Sequence, residues 1–189
     1  MTQLAIGIDF GTNSVRALVA DCADGREVAT AVVDYPSGEA GILLDPRDPN
    51  LARQNPADYL DGLRAAVRTA VGRAGASSDA YVGIGVDTTG STPIPVDASG
   101  TALAMTDRFR DDISAQAWLW KDHTAHAEAA ELTETARSMG VPYLAKCGEG
   151  YSSEWYWSKI LRCKRVAPGV FDAVSYTHLE PTRHRRIAD

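Results

Sequence analysis

Cysteine, basic residues and long apolar runs are all scarce in this chain, and each scarcity excludes something. Cysteine occurs only as Cys22, Cys147 and Cys163. An odd count without metal-ligand spacing argues against a disulfide framework or a zinc site, and reduced structural thiols in a cytoplasmic protein are expected. Lys and Arg number 19 against 25 Asp and Glu, a net charge of -6. That balance excludes a dedicated nucleic-acid binder, whose affinity comes from clustered cations. No apolar run approaches the ~18 residues that cross a bilayer. Met1 leads straight into a strand, so no signal peptide is expected. What is present is ordinary: 189 residues, 44% hydrophobic and 23% charged, suited to one soluble domain, or one and a fragment.

The N-terminal third reads as strands and one helix. Leu4–Ile8, Val15–Ala20 and Glu27–Val33 are apolar runs, the last two joined by the hairpin signal Asp24–Gly25. A loop rich in Pro, Gly and Asp is predicted over Pro36–Pro49. A helix should then start at Asn55 as N-cap with Pro56 at its first position, and stop at Gly75. Its predicted apolar stripe is Leu60, Leu63, Val67 and Val71. Tyr81–Val86 reads as a buried strand, and Ile94–Asp97 with Thr101–Ala104 as a second hairpin. Helices are expected over Thr124–Met139, ended by Gly140, and Ser153–Arg165, with Trp157, Ile160 and Leu161 in the core. Strands, helix and strand make an α/β domain. No internal repeat is found. The end, Ser175–Asp189, has no usable periodicity and is expected to be a disordered or foreign tail.

Four stretches could carry chemistry. In GIDFGTNSVR, Gly11 lets the backbone approach an anion, and Thr12, Asn13, Ser14 and Arg16 could add donors and positive charge. Asp9 sits where an acid could hold Mg²⁺ through water. The same residues would also suit an ordinary turn. VDTTGST again ends a strand in an acid and hydroxyls, so the two loops would converge at the carboxyl ends of neighbouring strands. There Asp87 is either a metal or base candidate or a turn cap. In LWKDHT, an indole beside Lys, Asp and His suits a polyhydroxylated ligand, or else a core tryptophan before a capped helix. GYSSEWYW is aromatic-dense and leaves Tyr151 or Glu154 as pocket residues.

Together IGIDFGTNSVRALV, GIGVDTTGSTPIPVD, LWKDHTAHAEA and GYSSEWYWSKIL resemble the N-terminal part of the FGGY carbohydrate kinase family, in order, from about residue 4 to about 172. The opening turn is shared with the whole actin, sugar kinase and 70-kDa chaperone superfamily; the pair GVDTTGST and LWKDHT points to the branch acting on L-ribulose. The resemblance implies a ribonuclease-H-like α/β domain over residues 1–174, incomplete and with a helical insertion. It implies ATP-dependent phosphorylation of L-ribulose to L-ribulose 5-phosphate in L-arabinose breakdown, with ATP and Mg²⁺ as cofactors. It assigns Asp9, Gly11, Thr12, Asn13, Ser14 and Arg16 to phosphate and indirect Mg²⁺ binding. Gly90, Ser91, Trp120, Lys121, Asp122 and Tyr151 fall to the sugar. The partner is a small ketopentose, with no nucleic acid and no membrane, and the full-length enzyme could form a homodimer. The family's catalytic aspartate lies beyond the matching part, so no catalytic residue is assigned in this chain and the fragment is expected to be inactive alone. Other readings are a D-ribulose or xylulose kinase of the same family, or a non-catalytic actin-like or chaperone-like nucleotide-binding module. A last reading is a chain with an open sheet edge that does not fold competently.

Overall fold

A computed structural model describes residues 2–175 of the chain. The expectation of a disordered or foreign tail falls, beyond Ser175, outside the described residues. Three strands open the chain: β1 (Leu4–Phe10), β2 (Ser14–Asp21) and β3 (Glu27–Asp34). They pair antiparallel in sequence order, as expected from their apolar runs. The predicted loop at Pro36–Pro49 is only partly loop. It contains β4 (Leu43–Asp45) and the start of β5 (Asp48–Gln54), which pair antiparallel. Pro46 between them and Pro49 within β5 hide them, since proline weakens any strand pattern.

Helix α1 (Pro56–Ala74) follows, with the start and stop that the sequence predicts. The Asn55 carboxamide accepts the Ala57 N–H, and Gly75 ends the helix in the left-handed region at φ 63°. The predicted stripe is displaced. Leu60 is exposed, Leu63, Val67 and Val71 are half-buried, and the fully buried face is Gly62, Ala66 and Ala70. Small residues let α1 lie close over β2 and β3, where Val15, Ala17 and Val19 are completely buried. A Cβ on Gly62 would come within 2.8 Å of Val15 Cγ1.

After α1 the chain returns as β6 (Tyr81–Thr88), parallel to β1, giving the sheet order β3-β2-β1-β6. β6 is not the buried strand that its composition suggests. Val82, Ile84 and Val86 are 57%, 68% and 63% exposed. The strand lies at the sheet edge, and α1 covers β2 and β3 instead. For the same reason β1 is buried on one face only, through Leu4, Ile6 and Ile8. The second predicted hairpin is reduced to a single bridge, Val96 to Ala102, followed by a 3-10 turn at Leu103–Met105.

A short strand β7 (Ala117–Trp118) joins β5, so the second sheet runs β4-β5-β7. Helices α2 (His126–Ser138), α3 (Tyr156–Val166) and α4 (Pro168–Phe171) complete the described chain. Their core is Leu103, Phe109, Trp118, Cys163 and Val170, and Ile42, Ala52 and Leu119 form a small cluster beside it. Trp157, expected in the core, is 54% exposed, while Ile160 and Leu161 are half-buried. All three cysteines are free thiols. Among the described residues no helix is long and apolar enough to cross a membrane.

Candidate active site

Two loops meet at the carboxyl ends of β1 and β6, the place where open α/β sheets present ligands. The first is the β1–β2 turn. Gly11 N–H donates to the Ser14 carbonyl at 2.9 Å and closes it. Gln54 on β5 reaches across, its amide donating to the Thr12 carbonyl at 2.7 Å while its oxygen accepts the Tyr59 hydroxyl at 2.6 Å. The Asn13 side chain donates to the Ala40 carbonyl at 2.6 Å, so it braces the neighbouring loop. The second loop, Thr89–Thr92, is tied to the first by Thr89 N–H donating to the Phe10 carbonyl at 3.1 Å.

Strand register places Asp9 opposite Arg16 on one side and beside Asp87 on the other. These three residues, with Gly7 and Gly85, line a shallow open groove on the sheet face away from α1. Asp9 and Arg16 are exposed, and an Asp87 carboxylate oxygen accepts Thr88 N–H at 2.9 Å. Two carboxylates on adjacent strands are hard oxygen donors of the kind Mg²⁺ prefers. Among the described residues no group of three or more His, Cys, Asp and Glu could hold a metal by itself. By themselves Asp9 and Asp87 would hold a divalent cation only with oxygens supplied by a ligand or water.

Trp120 connects the β1–β2 turn to the LWKDHT stretch. Its indole N–H donates to the Thr12 hydroxyl at 3.1 Å, and its backbone N–H donates to the Thr92 hydroxyl at 3.1 Å. The ring is 38% exposed. Asp122 behaves differently. It is fully buried, one oxygen accepting the Ala52 N–H at 2.8 Å and pairing with Arg53, the other accepting the Thr124 hydroxyl and N–H. Arg53 is itself buried, its Cζ over the Trp118 ring 3.5 Å from the centroid. Lys121 is half-buried and Gly90 and Ser91 are exposed. Tyr151 lies against Trp155 edge-on and accepts the Trp157 N–H at 3.3 Å, on the α2–α3 side. His123 bonds Ser153 at 2.9 Å there, which brings the aromatic-dense stretch against the end of LWKDHT.

Sequence reasoning misses Arg53, Gln54, Thr92 and Lys159. Arg53 and Gln54 leave no local signal, because their partners lie far along the chain. Lys159 is readable in principle: with Trp155 and Cys163 it stands at four-residue spacing on one helix face, and it is 1% exposed. Its Nζ donates to the carbonyls of Ser91, Leu119 and Trp118 at 2.7, 2.7 and 3.2 Å. Burial, helped by the nearby Arg53 charge and opposed by Glu154, pulls the amine down to about 7. Burial also pushes the Cys163 thiol up to about 11.

No family model matches the chain. A ribulokinase from Vibrio parahaemolyticus is 42% identical over 159 residues, covering 83% of this chain and 28% of that protein. One from Geobacillus thermodenitrificans is 37% identical over 177 residues, covering 90% of this chain and 31% of that protein. The chain thus spans about 30% of the length of these curated relatives. Among solved structures, the xylulose kinase from Rhodospirillum rubrum superposes with a TM-score of 0.69 at 24% identity, over 91% of this chain and 31% of that one.

The fold is of the actin type that the structurally similar sugar kinases share. Within that class its sequence matches the N-terminal part of the FGGY carbohydrate kinases, in the company of the ribulokinases.

Proposed function

We propose that this chain forms the sugar- and phosphate-binding part of an ATP-dependent L-ribulokinase. The observation that carries this reading is the Trp120 indole donating to the Thr12 hydroxyl at 3.1 Å, which couples a ring suited to a sugar face with a turn suited to phosphate. Mg-ATP would supply the transferable phosphoryl group and the metal's charge. The chain's own residues bind and orient. Gly11 lets the backbone approach the anion, the Thr12 and Ser14 hydroxyls donate to phosphate oxygens, Arg16 offsets their charge, and Asp9 with Asp87 accepts water or metal on the same sheet face. At Gly90 a Cβ would meet nothing within 4 Å, which leaves room for a five-carbon chain beside Trp120. Lys121 and Tyr151 complete the sugar side, while Asp122 acts by fixing the loop that carries Trp120.

No catalytic base is assigned, so the expected behaviour is binding without turnover. Calorimetric titration of the purified chain with L-ribulose and, separately, Mg-ATP tests this. Heat with L-ribulose exceeding that with D-ribulose and D-xylulose is expected, and Trp120→Ala should abolish it. Equal heats for all three sugars would refute the L-ribulose assignment. Heat with nucleotide alone would favour a nucleotide-binding module instead.

A further inference from the structure

Two segments of the candidate site converge on one side chain that the proposed binding chemistry does not use. Lys159 projects from α3 into the protein interior, where its Nζ reaches the carbonyls of Ser91, Trp118 and Leu119 at 2.7, 3.2 and 2.7 Å. The three hydrogens of an ammonium match these three acceptors in number. One acceptor belongs to the loop after β6 and the other two to the strand-end that delivers Trp120. Among the described residues no other hydrogen bond holds Ser91 from the protein side. Its backbone nevertheless sits at φ 54°, a left-handed conformation that a serine adopts only when its surroundings impose it. The neighbouring Thr92 hydroxyl accepts the Trp120 backbone N–H, so the loop that holds Ser91 is bonded to the backbone that carries the indole. Charged and titratable neighbours are Arg53 and Glu154, which oppose one another at the amine.

We infer that Lys159 is a positioning residue: by clamping Ser91 to the Trp118–Leu119 backbone it holds the Gly90–Thr92 loop in its strained turn and so sets the distance between that loop and the Trp120 ring. The clamp is a property of the described chain. Only its consequence for sugar affinity rests on the kinase reading above.

The test has a ligand-free arm and a ligand arm on the same full chain. Backbone hydrogen exchange is compared between the wild type and Lys159→Met, which keeps length and apolar stem but no donor. Exchange in the peptide covering residues 89–92 and at residues 119–121 should quicken at least tenfold, while β1, β2 and α1 stay within twofold. Adding Ser91→Gly, which removes the left-handed penalty, should return residues 89–92 at least halfway towards the wild-type rate. A purely structural lysine would not show that rescue. Unchanged exchange at residues 89–92, or quickening spread evenly over the chain, overturns the inference. If Lys159→Met does not melt cooperatively, Lys159→Gln takes its place, with two donors for three acceptors, and wild-type exchange in it overturns the inference equally. In the ligand arm, L-ribulose should bind Lys159→Met at least tenfold more weakly with Mg-ATP binding unchanged. Localised exchange without sugar heat from the wild type would sink the kinase reading and leave the clamp standing.

Discussion

At Asp122 both carboxylate oxygens are already engaged, by Arg53 and Ala52 on one side and Thr124 on the other. Neutralising it strands the Arg53 guanidinium in the interior beside an amide. Asp122→Asn should therefore cost about 3–5 kcal/mol, the usual penalty for orphaning a buried charge. Urea unfolding measures it, and a loss under about 1 kcal/mol would show the pair to be dispensable. Cys163 carries a second residue-scale expectation. Its thiol ionises near 9 in the unfolded chain and about 11 in the fold. The folded pKa is the higher one, so its contribution is complete below pH 9 and is lost as pH rises through 11. Between pH 9 and 10 the wild type should lose stability faster than Cys163→Ala, by at most about 1.4 kcal/mol per pH unit. Parallel slopes in denaturant melts would refute it. At this scale the sequence displays Thr12 and Trp120 through their motifs. It conceals Arg53 and Lys159, whose acceptors lie 69 and 40 or more residues away.

Helix α1 is the most readable element, because its signals are local. Asn55, Pro56 and Gly75 act through their immediate neighbours, and each sits where those signals put it. Its buried face is less readable. Hydrophobicity ranks Leu60 above Gly62, but close approach to β2 favours the residue without a side chain. Gly62→Ala tests that geometry: a Cβ 2.8 Å from Val15 Cγ1 should destabilise the protein by about 1–3 kcal/mol despite alanine's better helix propensity. Thermal melts showing a gain would contradict it. Strands β4 and β5 escape a sequence reading because Pro46 and Pro49 look like loop. β6 is visible but its burial is not, since the run Tyr81–Val86 looks the same whether covered or at an edge.

For the whole molecule, that edge is the main liability. Among the described residues β6 presents unpaired backbone groups and an exposed apolar row, Val82, Ile84 and Val86, with no charge before Asp87. Concentration-dependent self-association is expected in static light scattering. Ile84→Lys should suppress it while changing stability by no more than about 0.5 kcal/mol, because the side chain is already 68% exposed. Association unaffected by the substitution would move the sticky surface elsewhere. The class of fold is legible from three leading strands, a helix and a returning strand. The second sheet is not, because its strands are short and its central one begins in a proline-rich stretch.

The hydrogen bond between Thr12 and Trp120 spans 108 residues of sequence. Closing so long a loop is entropically late work for a folding chain, done only after the local hairpins and α1 exist. The crevice is therefore expected to assemble after those local elements. An intact Trp120–Thr12 link would then report that the elements carrying its two ends have come together.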